Sequence, residues 1–267
     1  MPAYKQIGSG RTADVYALGE DKVLKLFHPS VSEHTVQKEY EIAKTLSNMD
    51  LPVPAVYERM EKDNRKGIVY VYLKGLLMTD VIAQKPWRVR KAARMLARLH
   101  LRIHAHSVST IPRFKASLRQ SMDHAGLEPL HKEALVRTLD QIENVSVLCH
   151  GDFHPDNVIW GPETFHVVDW LDASSGHPLL DVARTKMLLE YSVLPDNLSR
   201  FKRRIITMIR RTFLRTYLNA YFKTSTLDYA SLSPIEPIVW AARLSEAIPE
   251  AETRVIRRAL MKHLESL

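Results

Sequence analysis

The segment His150-Gly151-Asp152-Phe153-His154-Pro155-Asp156-Asn157 constrains this chain more than any other stretch of its sequence. Apolar runs flank it, Val145 to Leu148 before and Val158 to Trp160 after, and a third run, Phe165 to Val168, leads directly into Asp169. Short apolar runs of this length read as buried strands. Polar and acidic groups wedged between buried strands are costly unless they are satisfied or put to use. The fold must therefore place a set of acids, an amide and two imidazoles at the ends of buried strands.

The rest of the chain divides by texture. Tyr4 to Ile7, Val15 to Leu18 and Val23 to Phe27 read as short strands separated by glycine turns. Ser32 to Asn48 reads as an amphipathic helix, with Val36, Tyr40, Ala43 and Leu46 at three- and four-residue spacing. Leu51-Pro-Val-Pro54 ends it, because proline disfavours helix at its own position and at the one before. Val53 to Tyr57 and Ile68 to Leu73 follow as strands. Beyond Gly75 long helical patterns take over: Trp87 to His104, Glu128 to Asn144 and, after Asp181, four helices over 181–190, 198–222, 234–247 and 250–267. The reading is an α+β chain of two lobes. A small β-rich lobe covers residues 1–73 and a larger, mainly helical lobe covers 74–267, with the joint near Tyr70 to Gly75.

Composition narrows the classes. At 267 residues with 45% hydrophobic side chains, the chain has enough apolar surface for a real core, which excludes intrinsic disorder. A single cysteine, Cys149, excludes an internal disulfide framework and a cysteine-rich zinc site. No apolar run is long enough to span a membrane, and the N-terminus lacks the apolar region of a secretory signal, so a cytoplasmic protein is expected. The net charge is +8, and the segment from Val182 onward holds 15 Lys/Arg against 8 Asp/Glu. Such an excess points weakly to an anionic partner.

The residue types in the central segment suit phosphoryl transfer. That reaction needs one carboxylate to receive a hydroxyl proton, and a second carboxylate with an amide oxygen to hold Mg²⁺, which prefers hard oxygen ligands. His150, Asp152 and Asn157 with the later Asp169 follow the H-x-D-x-x-x-x-N…D order of a kinase catalytic loop.

At this level the chain resembles the aminoglycoside phosphotransferase and choline kinase family of kinase-like enzymes. HGDFHPDNVIW and VVDWLDASSGHPLLDVA carry the resemblance, and Gly8-Ser9-Gly10, the strand lysine Lys25, the helix with Glu39 and MLARLH agree with it over nearly the whole length. The resemblance implies a bilobal protein-kinase-like fold and a small-molecule kinase. It would transfer the γ-phosphate of ATP or GTP to a hydroxyl of a small substrate. It implies Asp152 as catalytic base and Asn157 and Asp169 as Mg²⁺ ligands. It implies Lys25, paired with Glu39, on the α- and β-phosphates, and a turn of Gly8, Ser9 and Gly10 over the phosphates. Backbone groups of Tyr70, Val71 and Tyr72 would meet the base, and Asp181 would brace the catalytic loop. Gly151 stands where protein kinases often carry an arginine, and about a dozen residues separate Asp169 from Asp181. Trp170 stands in place of Phe-Gly. All three departures favour a small-molecule acceptor over a protein.

Blander readings accompany several of these residues. Gly8-Ser9-Gly10 alone fits any hairpin turn, and Lys25 alone fits a solvated strand lysine. Glu41 rivals Glu39 but points to solvent on the helical pattern. His150 reads as a buried brace bonded to backbone, Cys149 as a small apolar residue and Asp156 as a solvated carboxylate. His100 and His104 share a helix face and fit a metal only with a carboxylate in place. On the helix from Leu198, Phe201, Ile205, Met208, Ile209 and Phe213 read as a core face. Its arginines read as a solvated face, or as a patch for an anionic substrate, a membrane surface or RNA. A basic helical lobe argues mildly against a polycationic aminoglycoside acceptor. The competing function is a nucleotide-binding or nucleic-acid-associated regulator that has lost catalysis; nucleic acid is the less favoured partner because Lys25, Asp152, Asn157 and Asp169 are all intact.

Overall fold

The structure is a computed structural model that describes residues 4–194 and 198–265. It separates into two compact units. One runs through Val81 and also takes in Pro155–Asp172; the other comprises Ile82–His154 and the chain from Ala173 onward.

The first unit is built on a five-stranded antiparallel sheet of β1 (Lys5–Ser9), β2 (Ala13–Leu18), β3 (Lys22–Phe27), β4 (Val56–Lys62) and β5 (Arg65–Val71), in the order β1-β2-β3-β5-β4. Strands β4 and β5 are longer than the sequence pattern indicates. Asp63 and Asn64 both take positive φ and close a two-residue hairpin, so the polar stretch around them is mostly strand. The two-residue alternation of β3 gives its faces different tasks. Leu24 and Leu26 pack with Val69 on one face, while Phe27 packs with Ala13, Ile68 and Val36 on the other. Val36 belongs to α1 (Glu33–Ser47), whose start is capped by the Ser32 hydroxyl accepting from the Thr35 N–H. Its buried stripe is Val36, Glu39, Ile42 and Leu46. Lys25, two residues before Phe27, shares the face that meets this helix.

A second, three-stranded sheet of β6 (Leu76–Leu77), β8 (Val158–Trp160) and β9 (Phe165–Val167) belongs to the same unit, as does the start of α2 (Met78–Gln84). Neither β6 nor α2 is signalled by the sequence pattern. Asp156, read as a solvated carboxylate, is exposed, and it also accepts a hydrogen bond from the Thr79 hydroxyl that ties the turn before β8 to α2.

The second unit is mainly helical. A 3-10 turn, Pro86–Arg88, leads into α3 (Val89–His104), and α4 (Phe114–Asp123) and α5 (Pro129–Gln141) follow. Strand β7 (Val147–Cys149) pairs antiparallel with β10 (Ser174–Gly176). The chain continues through α6 (Pro178–Tyr191), α7 (Arg200–Thr224), α8 (Glu236–Arg243) and α9 (Glu250–Leu264). The expected last helix extends to Leu267, which lies outside the described residues. Helix α4 buries Phe114, Leu118 and Met122 on one stripe but carries no side-chain cap, which leaves its start unmarked in the sequence. Among the described residues no helix is long and apolar enough to cross a membrane.

Candidate active site

The first unit assembles an ion-pair relay from three distant positions. Lys25 Nζ donates to Glu39 Oε1 at 2.7 Å and to Asp169 Oδ1 at 2.8 Å. Burial opposes the ammonium charge, but Glu39 and Asp169 outweigh it and hold Lys25 above its usual range. Burial pushes the Glu39 carboxyl up, against the pull of Lys25. The alternative Glu41 is exposed and occupied by Gln37 and Lys44. Tyr70 enters by its side chain as well: its hydroxyl donates to Glu39 Oε1 at 3.1 Å. This use of Tyr70 is not signalled by the sequence, which points only to its backbone. We expect Tyr70→Phe to lower stability by about 1.5–3 kcal/mol, the contribution of a hydrogen bond to a charged group. Denaturant unfolding of the two proteins checks this, and an unchanged stability would contradict it.

Asn157 and Asp169 reach one place because β8 and β9 form an antiparallel pair. Val158 faces Val167, so Asn157, just before β8, and Val168, just after β9, are neighbours, joined by a Val168 N–H to Asn157 carbonyl bond of 3.0 Å. Asp169 then adopts φ of 63°, a left-handed conformation uncommon outside glycine. A non-glycine residue held there carries strain of the kind found at functional positions. The turn is fixed behind it by Trp170, whose indole N–H donates to the Val167 carbonyl at 3.0 Å. An amide oxygen and a carboxylate at one hairpin end form a donor set suited to Mg²⁺.

The glycine segment differs from the expectation in one respect. Gly8 and Ser9 are still in β1, paired with Val15 and Asp14, and the turn proper is Gly10-Arg11-Thr12, closed by Gly10 N–H to Ala13 carbonyl at 2.8 Å. The Ser9 hydroxyl donates to Asp14 at 2.9 Å, and Arg65 holds that carboxylate at 2.8 Å, which keeps Ser9 in the ladder. At the other end of the sheet, the N–H groups of Val71 and Tyr72 are already bonded to the carbonyls of Ala55 and Asp21.

Asp152 belongs to the second unit, on a loop held from several sides. Gly151 has φ of 81°, a conformation that a side chain would strain. Its N–H donates to Asp181 Oδ1 at 2.9 Å, and its carbonyl accepts from Arg184 Nε at 2.9 Å. The Asp152 N–H donates to His150 Nδ1 at 3.3 Å, the backbone role expected of that buried histidine. The Asp152 carboxylate lies 3.4 Å from His154 Nε2. Burial would raise its pKa, but His154 foremost, with Arg184 and His150, holds the carboxyl well below the usual range, so it is an anion.

Beneath this loop lies a network that sequence reasoning located only in part. Asp181 Oδ2 accepts the His150 N–H at 2.6 Å and faces His100 Nε2 at 3.0 Å and His104 Nε2 at 3.3 Å. Tyr217 and Tyr221 hydroxyls sit 2.6 Å from His100 Nδ1 and His104 Nδ1. The three metal-type ligands lie within 4.8 Å of one another, so the carboxylate that the two histidines needed is present. Hydrogen bonding nonetheless accounts for the set without an ion. Asp181, held far below its usual pKa by the two histidines against its burial, can only accept. Each imidazole then gives Nε2–H to Asp181 and meets a tyrosine hydroxyl with Nδ1.

Burial, with the neighbouring His104, lowers His100 to a pKa of about 4. An ordinary histidine in the unfolded chain titrates near 6.5. Between those values the unfolded chain binds the extra proton, so stability is full above pH 6.5 and falls as the pH drops toward 4. We expect a loss of up to about 3 kcal/mol over that window. His100→Asn should flatten this part of the denaturation-versus-pH curve; an unchanged slope would contradict the assignment.

Comparisons with known proteins give the family and the fold. Residues 3–235 match the phosphotransferase enzyme family APH. The chain belongs to that family. A choline/ethanolamine kinase family protein from Mesorhizobium loti superposes with a TM-score of 0.61 at 13% identity, covering 99% of this chain and 92% of that one. Amicoumacin kinase hAmiN in complex with AMP-PNP, Ca²⁺ and Ami gives a TM-score of 0.60 at 16% identity, covering 99% of this chain and 88% of that one. The fold is the protein-kinase-like fold of these enzymes, with an N-terminal antiparallel sheet and a mostly helical C-terminal part. Acyl-CoA dehydrogenase family member 10 of Mus musculus is 25% identical in an alignment 176 positions long that covers 57% of this chain and 16% of that protein. The match thus covers under a quarter of the length of such curated relatives.

Proposed function

We propose that this chain is a small-molecule kinase that transfers the γ-phosphoryl group of ATP or GTP to a hydroxyl. The observation that carries the reading is the relay of Lys25 with Glu39 and Asp169, in a family member that also retains Asp152 and Asn157. Asp152, an anion, takes the proton of the acceptor hydroxyl as its oxygen bonds to phosphorus and the bond to the nucleoside diphosphate breaks. Lys25, kept charged and pinned by Glu39, meets the α- and β-phosphates. Asn157 and Asp169 would hold Mg²⁺, which when bound supplies neutralisation of charge on the phosphates. With Val71 and Tyr72 N–H already bonded, the base is met by other groups around residues 70–73. Catalysis from these residues is mainly positioning and charge compensation. In this reading residues 1–73 form the nucleotide lobe and 74–267 the catalytic and acceptor lobe, in a cytoplasmic setting where the nucleotide is plentiful. The complex of amicoumacin kinase with a nucleotide analogue and a divalent cation supports the pairing of nucleotide and metal.

A thermal shift with ATP or GTP, with and without Mg²⁺, tests the nucleotide half. Ligand at about 100 times its Kd adds about 2.7 kcal/mol, which at this size raises Tm by roughly 5–10 °C. We expect a Mg²⁺-dependent shift that Asp169→Ala loses. No shift with either nucleotide at millimolar concentration would overturn the proposal.

A further inference from the structure

The basic helix raised by the sequence has a partner and an outer face. Helix α7 holds eight Lys/Arg and α3 holds five, and neither contains Asp or Glu. Together they exceed the net charge of the whole chain. The two helices run parallel in fixed register: His100 meets Tyr217 and His104 meets Tyr221, a constant offset of 117 positions. Carried back along both helices, that offset puts Arg94 at the height of Arg211 and Arg98 at the height of Arg215. These four side chains are exposed, as are Arg90 and Arg204, and none of the six has an ion-pair partner among the described residues. Their buried faces turn to the same core around Asp181, so the outer faces carry guanidinium groups at successive heights. Arginine in such an array suits phosphate oxygens.

The apolar stripe of α7 does not behave as a core face over its N-terminal half. Phe213, Tyr217, Leu218 and Tyr221 are buried, but Phe201 is 72% exposed and Met208 61% exposed. Trp87, in the turn just before α3, is 75% exposed. The same register puts Trp87 between the heights of Phe201 and Met208. Three large apolar side chains thus gather at the N-terminal end of the basic face, beside the exposed Arg204 and Arg211. A single strand of nucleic acid is bound on aromatic platforms distributed along a basic groove. Apolar groups gathered at one end, with guanidiniums alongside, match an interface in which apolar tips enter the acyl boundary and the cations meet lipid phosphates.

We propose that the outer face of α3 and α7 is a docking surface for an anionic phospholipid membrane, held by Trp87, Phe201 and Met208 and by the arginines that follow them. The proposal is independent of the kinase reading. It is tested by co-sedimentation of the full chain at about 0.1 M salt. The vesicles are phosphatidylcholine alone, or phosphatidylcholine with phosphatidylglycerol in a two-to-one ratio. We expect binding to the anionic vesicles only, a blue shift of tryptophan emission that Trp87→Phe removes, and about a hundredfold weaker binding by Arg94→Gln/Arg211→Gln/Arg215→Gln. Because all three arginines are exposed, this variant should melt like the wild type. Absence of binding to anionic vesicles overturns the proposal, as does a triple variant that binds like the wild type. Capture of a single-stranded oligonucleotide without vesicle binding would also overturn it and make the face a nucleic-acid surface.

Discussion

Asp152→Asn and Asp152→Ala should each lower kcat for phosphoryl transfer by about 10²–10⁴, the range a positioned general base contributes, with nucleotide KM little changed. The expectation follows from what holds the residue. The loop presenting it is fixed through Gly151, by Asp181 on the N–H side and Arg184 on the carbonyl side, and neither contact uses the Asp152 side chain. Removing the carboxylate therefore leaves these two loop contacts in place, while it takes away the proposed proton acceptor and its 3.4 Å contact with His154. Asparagine keeps the shape and can still accept a hydrogen bond, but it cannot take a proton, so its defect should approach that of alanine. In the proposed function nucleotide is held through Lys25 and Glu39, which lie in the other compact unit, so its binding should be spared. Steady-state kinetics with an identified acceptor, together with thermal melts of both variants, make the test. Turnover within tenfold of wild type in both variants would remove Asp152 from the base role.

What was legible in the sequence was whatever is encoded by neighbours. Asp152, Asn157 and Asp169 lie within eighteen positions, and the choice of Glu39 over Glu41 follows from helical periodicity: the buried stripe Val36, Glu39, Ile42 and Leu46 puts one glutamate inside and leaves the other in solvent. The strand order and the pairing of Tyr70 with Glu39 depend on segments 31 residues apart, and no local pattern announces them. The His100, His104 and Asp181 network depends on separations of 77 and 81 positions, with tyrosines 117 positions away. Periodicity also misled at α7. It reports that a helix has an apolar side but not where the neighbouring helices end, so Phe201 and Met208 looked like core and are not. Gly8 and Ser9 looked like a turn because glycine suggests one. A side-chain bond from Ser9 to Asp14 keeps them in the strand, and residue composition carries no sign of that bond.

Asp181→Asn should be among the most destabilising single changes in the protein, although the substitution alters one atom. The wild-type carboxylate is fully buried and faces four N–H groups, the backbone N–H of His150 and Gly151 and the Nε2–H of His100 and His104. An anion with four donors is satisfied; an amide in its place offers one accepting oxygen and turns an NH₂ toward groups that also donate. Either orientation of the amide leaves buried donors opposed. Breaking one side of a buried charged network costs about 3–5 kcal/mol, and for a chain of this size that lowers Tm by roughly 10–15 °C. The damage should not stay local, because the same carboxylate holds the N–H groups of His150 and Gly151, the two residues before Asp152. Transfer should therefore fall even at temperatures where the variant is still folded. Calorimetry and activity at a temperature well below the variant's Tm separate the two effects. A variant with wild-type Tm would show that the four donors do not depend on the charge. One that is destabilised but fully active when folded would show that the brace serves stability alone and that Asp152 is positioned from elsewhere.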